Sequence, residues 1–537
     1  MNYLDKYNNW LNTNKLSEEE SVTLKNMNDE EIKEAFYKDL EFGTAGIRGI
    51  MGLGTNRINK YTISKVSLGL GNYLSKHYSN PSVVIAYDTR KNSKEFAITT
   101  ALVLNNIGIK TFIYKEVAST PELSFAVTYL KCDAGIVITS SHNASIYNGY
   151  KVYNDLGSQI VSPMDKEILN EINSINDYFN IEYAKTNNDL YIELNDDIRN
   201  EFIKENLKVI INKDIIDKYS KDINITYTSL HGTGMKIAPK IFDYLNVNVN
   251  YVNEQCTEDS DFTYAKEPNP EIESNFDLSI KYAKENNSDI IFASDPDSDR
   301  LGVMIKNNDN YELLNGNIVG ILISNYLLNH KELNNKYVVR SIVTSNMLDK
   351  MCYKYNVKVK EVLTGCKNIA NVRNMDKDNY LFGFEESLGY MFDINVNDKN
   401  SYSTMISLIE ILCYLKSINS NIYEYITMLY KEYGYYYEKT ISITYDGIDG
   451  NDKMNDIVNY IRNNDINGWI KEDYINREDN LKTNCIKLKI DDKSYIMIRP
   501  SGTEPKIKIY FIICENSRNE AINKQAELEK NIINIIK

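Results

Sequence analysis

Residues 139–143 read Thr-Ser-Ser-His-Asn and directly follow the apolar run 136–138, which has the composition of a buried strand. In an open α/β sheet the loop leaving a strand's carboxyl end is where ligands bind. Ser141 is therefore the expected nucleophile, and His142 reads equally as a catalyst or as a structural hydrogen-bonder. A hydrolase dyad does not follow from sequence neighbours alone, and no Gly-x-Ser-x-Gly turn surrounds Ser141. A serine beside a divalent cation can instead carry a phosphoryl group whose oxygens the metal neutralises.

A seat for such a cation lies far along the chain. Asp295, Asp297 and Asp299 fall within five residues after another apolar run, in Asp-Pro-Asp-Ser-Asp-Arg. Carboxylates so close repel one another, and burying them is costly without a cation. All-oxygen ligands favour a hard ion, and Mg2+ suits a site that also meets phosphate oxygen. An EF-hand loop would need glycine and glutamate at its sixth and twelfth positions, which here are Arg300 and Lys306. A solvated acidic turn is the competing reading.

Two further turns carry polar groups. Gly383-Phe-Glu385-Glu386-Ser387 sets a carboxylate and a hydroxyl two apart, a spacing that grips neighbouring sugar hydroxyls or equally makes a surface acidic turn. Arg499-Pro-Ser501-Gly502-Thr503-Glu-Pro505-Lys506 offers an arginine, two hydroxyls and a glycine backbone, the parts of an anion cradle. Two of the chain's nine prolines stiffen it. A Walker phosphate loop is missing, and the four histidines show no paired spacing of the kind zinc uses.

These loops need a scaffold. Strand 83–87 ends in Asp88-Thr-Arg90, and helix 96–107, strand 111–114 and helix 122–130 follow, which predicts a three-layer α/β domain. The run 42–49, with three glycines in eight residues, predicts a bent loop, and 18–35 has helical spacing. Alternating units resume with strands 224–227 and 289–293, then with 337–343, 357–362, 380–384 and helix 404–416. Beyond them, 439–445 and 485–490 alternate like half-exposed antiparallel strands of an α+β domain. The expected division is 1–210, 211–313, 314–434 and 435–537.

At 537 residues the chain exceeds one core. A formal net charge of −14 without a long basic block argues against nucleic acid or an anionic membrane face as partner. Seven cysteines without a CxxC pair predict reduced thiols rather than a disulfide framework. The opening residues lack a signal pattern and apolar runs such as 318–323 are too short to span a bilayer, so the expectation is no membrane and a cytoplasmic location. In that compartment the sequon Asn143-Ala-Ser145 is idle.

Taken in order, FGTAGIRG (42–49), TSSHNASIYNGYKVY (139–153), LHGTG (230–234), DPDSDR (295–300), TGCKNI (364–369), GFEESLGY (383–390) and RPSGTEPKIKIY (499–510) resemble the α-D-phosphohexomutase superfamily. The likeness is nearest its phosphoglucomutase branch, which includes phosphopentomutases and glucose-1,6-bisphosphate synthases. It implies four domains around a central cleft, three α/β and a smaller one that binds phosphate. Ser141 would be the phosphoserine, with Asp295, Asp297 and Asp299 holding Mg2+ against it. Arg48 and Lys151 would serve general acid–base work, with His142 in the same catalytic loop. Glu385 and Ser387 would contact sugar hydroxyls, and Arg499, Ser501, Gly502 and Thr503 the non-reacting phosphate. Arg300 and Lys367 are further candidates in these loops.

The implied reaction interconverts glucose 1-phosphate and glucose 6-phosphate through glucose 1,6-bisphosphate, which also acts as activator. A phosphopentomutase, a phosphomannomutase, a glucose-1,6-bisphosphate synthase and an inactive sugar-phosphate-binding relative are the alternatives. Three positions depart from the pattern: Ala144 and Ser229 replace prolines, and Cys366 a residue that is commonly aromatic.

Overall fold

The computed structural model describes residues 2–43, 46–445, 449–501 and 506–536. Two compact units share the chain: Met1–Leu313 with Met391–Glu410, and Leu314–Tyr390 with Ile411–Lys537.

In the first unit a six-stranded sheet has the order Gly46–Ile50, Tyr147–Asn154, Ala134–Ile138, Ser82–Tyr87, Lys110–Tyr114, Tyr191–Leu194. The last four strands run parallel, and the first two are antiparallel additions. Strands buried on both faces read as continuous apolar runs, as 83–87 and 136–138 do. Val83, Ile85, Ile136 and Ile138 join one core with helices Lys60–His77 and Ser93–Asn106. On the opposite face Gly135 lies against Val127 and Leu123 of helix Thr120–Leu130. That helix starts where a capping box of Ser119 and Glu122, with Pro121 in the first turn, satisfies the free N–H groups.

A second sheet of this unit has the order Asn310–Leu314, Leu301–Asn307, Ile290–Ser294, Asn224–Thr228, Asn248–Tyr251. Its middle strand Ile290–Ser294 is wholly buried and delivers the aspartate loop.

The second unit carries a four-stranded sheet, Lys358–Val362, Tyr337–Ser341, Tyr380–Glu385, Gly389–Phe392, and an antiparallel five-stranded one. The latter runs Tyr435–Thr444, Lys506–Glu515, Tyr495–Pro500, Ile486–Lys489, Ile470–Asp473. One face buries alternate residues (Ile486, Leu488, Ile496, Ile498, Ile507, Ile509) against helices Gly450–Asn463 and Arg518–Ile536. This α+β piece is the change of texture expected near residue 439.

Three expectations are corrected. The glycine-rich run does not stay a loop: Gly46–Ile50 is a strand paired along its length with Tyr147–Asn154, because cross-strand hydrogen bonds outweigh the weak strand preference of glycine. The helical run 18–35 is broken, since the Asn28 side chain accepts from the Glu30 and Glu31 N–H groups and starts a new helix, Asp29–Phe36, after Glu18–Lys25. Strand 337–343 stops at Ser341, whose hydroxyl pairs with Thr344 and takes the Val343 N–H. Among the described residues no two cysteines form a disulfide. Among the described residues no helix is long and apolar enough to cross a membrane.

Candidate active site

Ser141 lies in the loop that leaves buried strand Ala134–Ile138 and is itself buried, with φ +52° in the left-handed region. That conformation costs a non-glycine residue about 1 kcal/mol or more, so its neighbours must hold it. Its N–H donates to Thr139 Oγ1 at 2.8 Å, and the Thr139 hydroxyl donates to Asp88 Oδ2 at 2.6 Å. Ser141 Oγ in turn donates to Asp295 Oδ2 at 2.7 Å, and His142 Nδ1 lies 3.3 Å from it. Burial, then the charges of Arg300, Arg48 and Lys399, hold the His142 imidazole well below its ordinary pKa, so it is neutral.

Asp295, Asp297 and Asp299 are wholly buried and each offers an oxygen within 4.8 Å of the others'. Burial and the charges of Asp299 and Asp297 push the Asp295 carboxyl well up. Burial raises Asp297 too, but Lys151 Nζ, 2.7 Å from Asp297 Oδ2, outweighs it and holds that carboxyl below the usual range. Lys151 also lies 3.7 Å from Asp299 Oδ2. Asp297 Oδ1 and Asp299 Oδ1 are buried with no hydrogen-bond partner among the described residues. Three buried carboxylates, each with an oxygen within 4.8 Å of the others' and two oxygens left orphaned, are the donor set a hard divalent cation needs, so the residues fit the metal.

Arg48 lies on the edge strand opposite Gly149, so it shares a sheet face with Lys151, and its Nη1 reaches Asn143 Oδ1 at 3.4 Å. Arg300 closes the aspartate loop, its N–H donating to Asp295 Oδ1 at 3.0 Å. Every candidate that the sequence placed in residues 48–300 thus gathers around one point in the first unit.

Within the second unit, Glu385 ends its strand buried and accepts from the Gly365 N–H at 2.6 Å. Gly365 has φ +111°, a conformation that leaves this N–H pointing at the carboxylate. Arg499 Nη1 donates to Thr364 Oγ1, so the anion-cradle strand and the TGCKNI loop meet. Ser387 sits half-buried in the turn after Glu385, and Lys367 in the first turn of helix Cys366–Met375. The Ser501 N–H donates to the Lys506 carbonyl at 2.7 Å. Gly502 and Thr503 lie outside the described residues.

Three stretches match phosphoglucomutase/phosphomannomutase α/β/α domains I, II and III, at residues 39–179, 200–308 and 315–433. The chain is 36% identical over 514 residues to a phosphoglucomutase of Staphylococcus haemolyticus (strain JCSC1435), covering 89% of this chain and 91% of that protein. It belongs to the α-D-phosphohexomutase superfamily. A phosphoglucomutase of Staphylococcus aureus (strain MRSA252) is likewise 36% identical over 507 residues, 90% of this chain and 91% of that one. In fold, the chain matches the open-form crystal structure of the exocytosis-sensitive phosphoprotein pp63/parafusin from Paramecium with TM-score 0.73 at 19% identity, over 93% and 96% of the two chains.

The cluster around Ser141 and the aspartates holds residues that spacing did not reveal. Lys399, from the segment between the sheets, puts Nζ 3.0 Å from Asp299 Oδ2, a second lysine against the aspartates. Thr120, at the start of its helix, donates its hydroxyl to Asp297 Oδ2 at 2.7 Å and its N–H to the Asp297 carbonyl. The LHGTG motif braces the same loop: the Thr233 N–H and hydroxyl both donate to the Pro296 carbonyl. Gly232 packs so tightly there that a Cβ would stand 2.3 Å from Pro296 Cα. A lone lysine and a threonine after strands carry no periodic signal, whereas the glycine pair 232 and 234 was a visible clue to close packing.

Proposed function

We propose that this chain is an Mg2+-dependent phosphoglucomutase that interconverts glucose 1-phosphate and glucose 6-phosphate, with Ser141 as phosphoryl carrier and glucose 1,6-bisphosphate as intermediate and activator. Its partner is a small sugar phosphate rather than nucleic acid, and its place is the cytoplasm. The four-part division at 1–210, 211–313, 314–434 and 435–537 belongs to the same reading. The observation that carries it is the 2.7 Å hydrogen bond between Ser141 and Asp295, within a buried cluster in which Asp297 Oδ1 and Asp299 Oδ1 have no hydrogen-bond partner among the described residues.

Transfer breaks the bond between phosphorus and Ser141 Oγ and forms one to a sugar oxygen. The attacking hydroxyl gives up its proton and Ser141 regains one, an exchange proposed for Lys151 and Arg48, which lie on neighbouring strands. Bound by Asp295, Asp297, Asp299 and Ser141, Mg2+ supplies neutralisation of the charge on the transferring oxygens. Neutral His142 accepts or donates a single hydrogen bond beside the nucleophile. Lys151 and Lys399 lie against Asp297 Oδ2 and Asp299 Oδ2 without occupying the orphaned Oδ1 atoms. Glu385 and Ser387 are proposed to hold sugar hydroxyls, and Arg499, Ser501, Gly502 and Thr503 the non-reacting phosphate. Arg300 and Lys367 supply further positive charge. Gripping the sugar by hydroxyls lets its bisphosphate be held either way round, so that either phosphate can return to Ser141.

The deciding experiment compares turnover of glucose, mannose, ribose and deoxyribose 1-phosphates by the purified protein with Mg2+ and a hexose bisphosphate. Glucose 1-phosphate should give the highest kcat/KM. A preference for a pentose phosphate would make the chain a phosphopentomutase, and a preference for mannose a phosphomannomutase. Net accumulation of bisphosphate from an outside phosphoryl donor would make it a synthase. Turnover of none would leave a binding protein.

A further inference from the structure

Arg90 is a buried cation that contributes nothing to the chemistry above, yet both its Nη atoms are spent on the Ser141 loop. Its side chain is fully enclosed. Nη1 donates to the carbonyls of Ala144 (2.8 Å) and Tyr147 (3.1 Å), and Nη2 to those of Ser141 and Asn143 (2.5 Å each). One planar fork thereby collects four carbonyls of a seven-residue turn, which a point-charge ammonium cannot do. Asp88 fixes the fork from behind, its Oδ2 3.2 Å from Arg90 Nε and its Oδ1 accepting from the Arg90 N–H at 3.0 Å. The same Asp88 Oδ2 accepts from Thr139, which receives the Ser141 N–H. The Phe262 ring covers the guanidinium at 4.8 Å.

Both ends of the Ser141 peptide unit are therefore tied to one Asp88–Arg90 pair: its carbonyl directly, its N–H through Thr139. The residue they tie is the one in a left-handed conformation. Ala144, whose carbonyl is one of the four, and the rest of the turn 141–147 include no proline to stiffen it, so the rigidity must come from hydrogen bonds.

We propose that Arg90 is the positioning residue for Ser141, holding the left-handed turn that aims the hydroxyl at Asp295. This role rests on Ser141 being the phosphoryl carrier. Both Nη atoms of Arg90 bond backbone carbonyls of the Ser141 turn, so its loss should act on kcat and spare KM. Misplacing a reacting atom by about 1 Å costs on the order of 100-fold in rate.

The test measures kcat and KM for glucose 1-phosphate, and by mass spectrometry the rate at which glucose 1,6-bisphosphate phosphorylates Ser141, in wild type, Arg90→Lys, Arg90→Ala and Thr139→Val. Arg90→Lys should lose about 100-fold in kcat and in phosphorylation rate, with KM within about threefold. Thr139→Val, which removes the other tie, should show the same split. Guanidinium ion at tens of millimolar should restore Arg90→Ala at least tenfold, an effect that a merely structural role would not give. A folded Arg90→Lys with kcat within twofold of wild type overturns the proposal. Should that variant fail to fold, Thr139→Val with unchanged kcat overturns it equally. Wild type that takes no phosphate onto Ser141 overturns both this role and the function beneath it, whereas normal wild-type uptake beside an undisturbed variant overturns only the role of Arg90.

Discussion

Ser141 Oγ and Asp295 Oδ2 lie 2.7 Å apart although 154 positions of sequence separate the two residues. The strand ends that carry them belong to different sheets, and each loop is braced by its own neighbours, Asp88 and Thr139 for the serine, Thr120 and Thr233 for the aspartates. This one hydrogen bond joins the proposed nucleophile to the proposed metal site.

Replacing Ser141 with alanine should lower turnover by at least ~10,000-fold, as removal of a nucleophile does elsewhere. Stability should change by about 1 kcal/mol, the worth of the single hydrogen bond lost. A coupled assay and thermal melting measure the two. Intact mass should show a subpopulation of wild type, absent from the variant, heavier by one phosphate. Near-normal rates in Ser141→Ala would end the mechanism.

Mg2+ should raise the melting temperature saturably, because a cation that neutralises three buried carboxylates binds the folded chain only. At a hundredfold excess over Kd the linkage amounts to about 2.7 kcal/mol. Asp297→Asn should blunt that response and cut activity severely, and strong chelation should stop turnover. Melting indifferent to Mg2+, or activity that survives chelation, contradicts the metal assignment.

Gly232→Ala places a methyl group where Pro296 Cα and the Pro296 carbonyl oxygen stand 2.3 and 2.6 Å from the new carbon. The backbone of the aspartate loop must move to admit it. Such overpacking costs typically 1–3 kcal/mol, and the displaced aspartates should weaken the Mg2+ response along with kcat. Denaturant unfolding with and without Mg2+ reads both effects; a variant matching wild type in each would mean that this contact does not position the loop.

Asp259 sets the turn that presents Phe262 to Arg90. Its carboxylate accepts from the Thr263 side chain and from the N–H groups of Thr263 and Asp261, which holds its pKa at about 2. A folded-state pKa below the unfolded value of about 3.9 stabilises the fold above that pH and ceases to do so as pH falls toward 2. Asp259 is only half-buried, so screening limits the effect to about 1 kcal/mol or less. Asp259→Asn should therefore be less stable than wild type at neutral pH, with the gap closing below about pH 4. A gap unchanged at pH 3, followed by denaturant unfolding, argues against this role.

Much of the site was legible because each chemical loop follows an apolar strand that announces itself. The runs 136–138 and 290–294 are buried on both faces, so their ends mark where backbone and side chains turn toward a ligand. Glycine density misled at 46–50, where pairing with Tyr147–Asn154 made a strand of an apparent loop, and Arg48 gained its fixed place from that register.

By itself, the sequence determined which groups are available for chemistry and on which strand ends they stand, since apolar runs and turn residues act over a few neighbours. Only the tertiary structure decided that Arg90 reaches four carbonyls of the Ser141 turn, that Lys399 joins Lys151 at the aspartates, and that Gly232 seats Pro296. Those contacts depend on how separate loops pack and on which buried charge finds which partner, and no local pattern of residues records that.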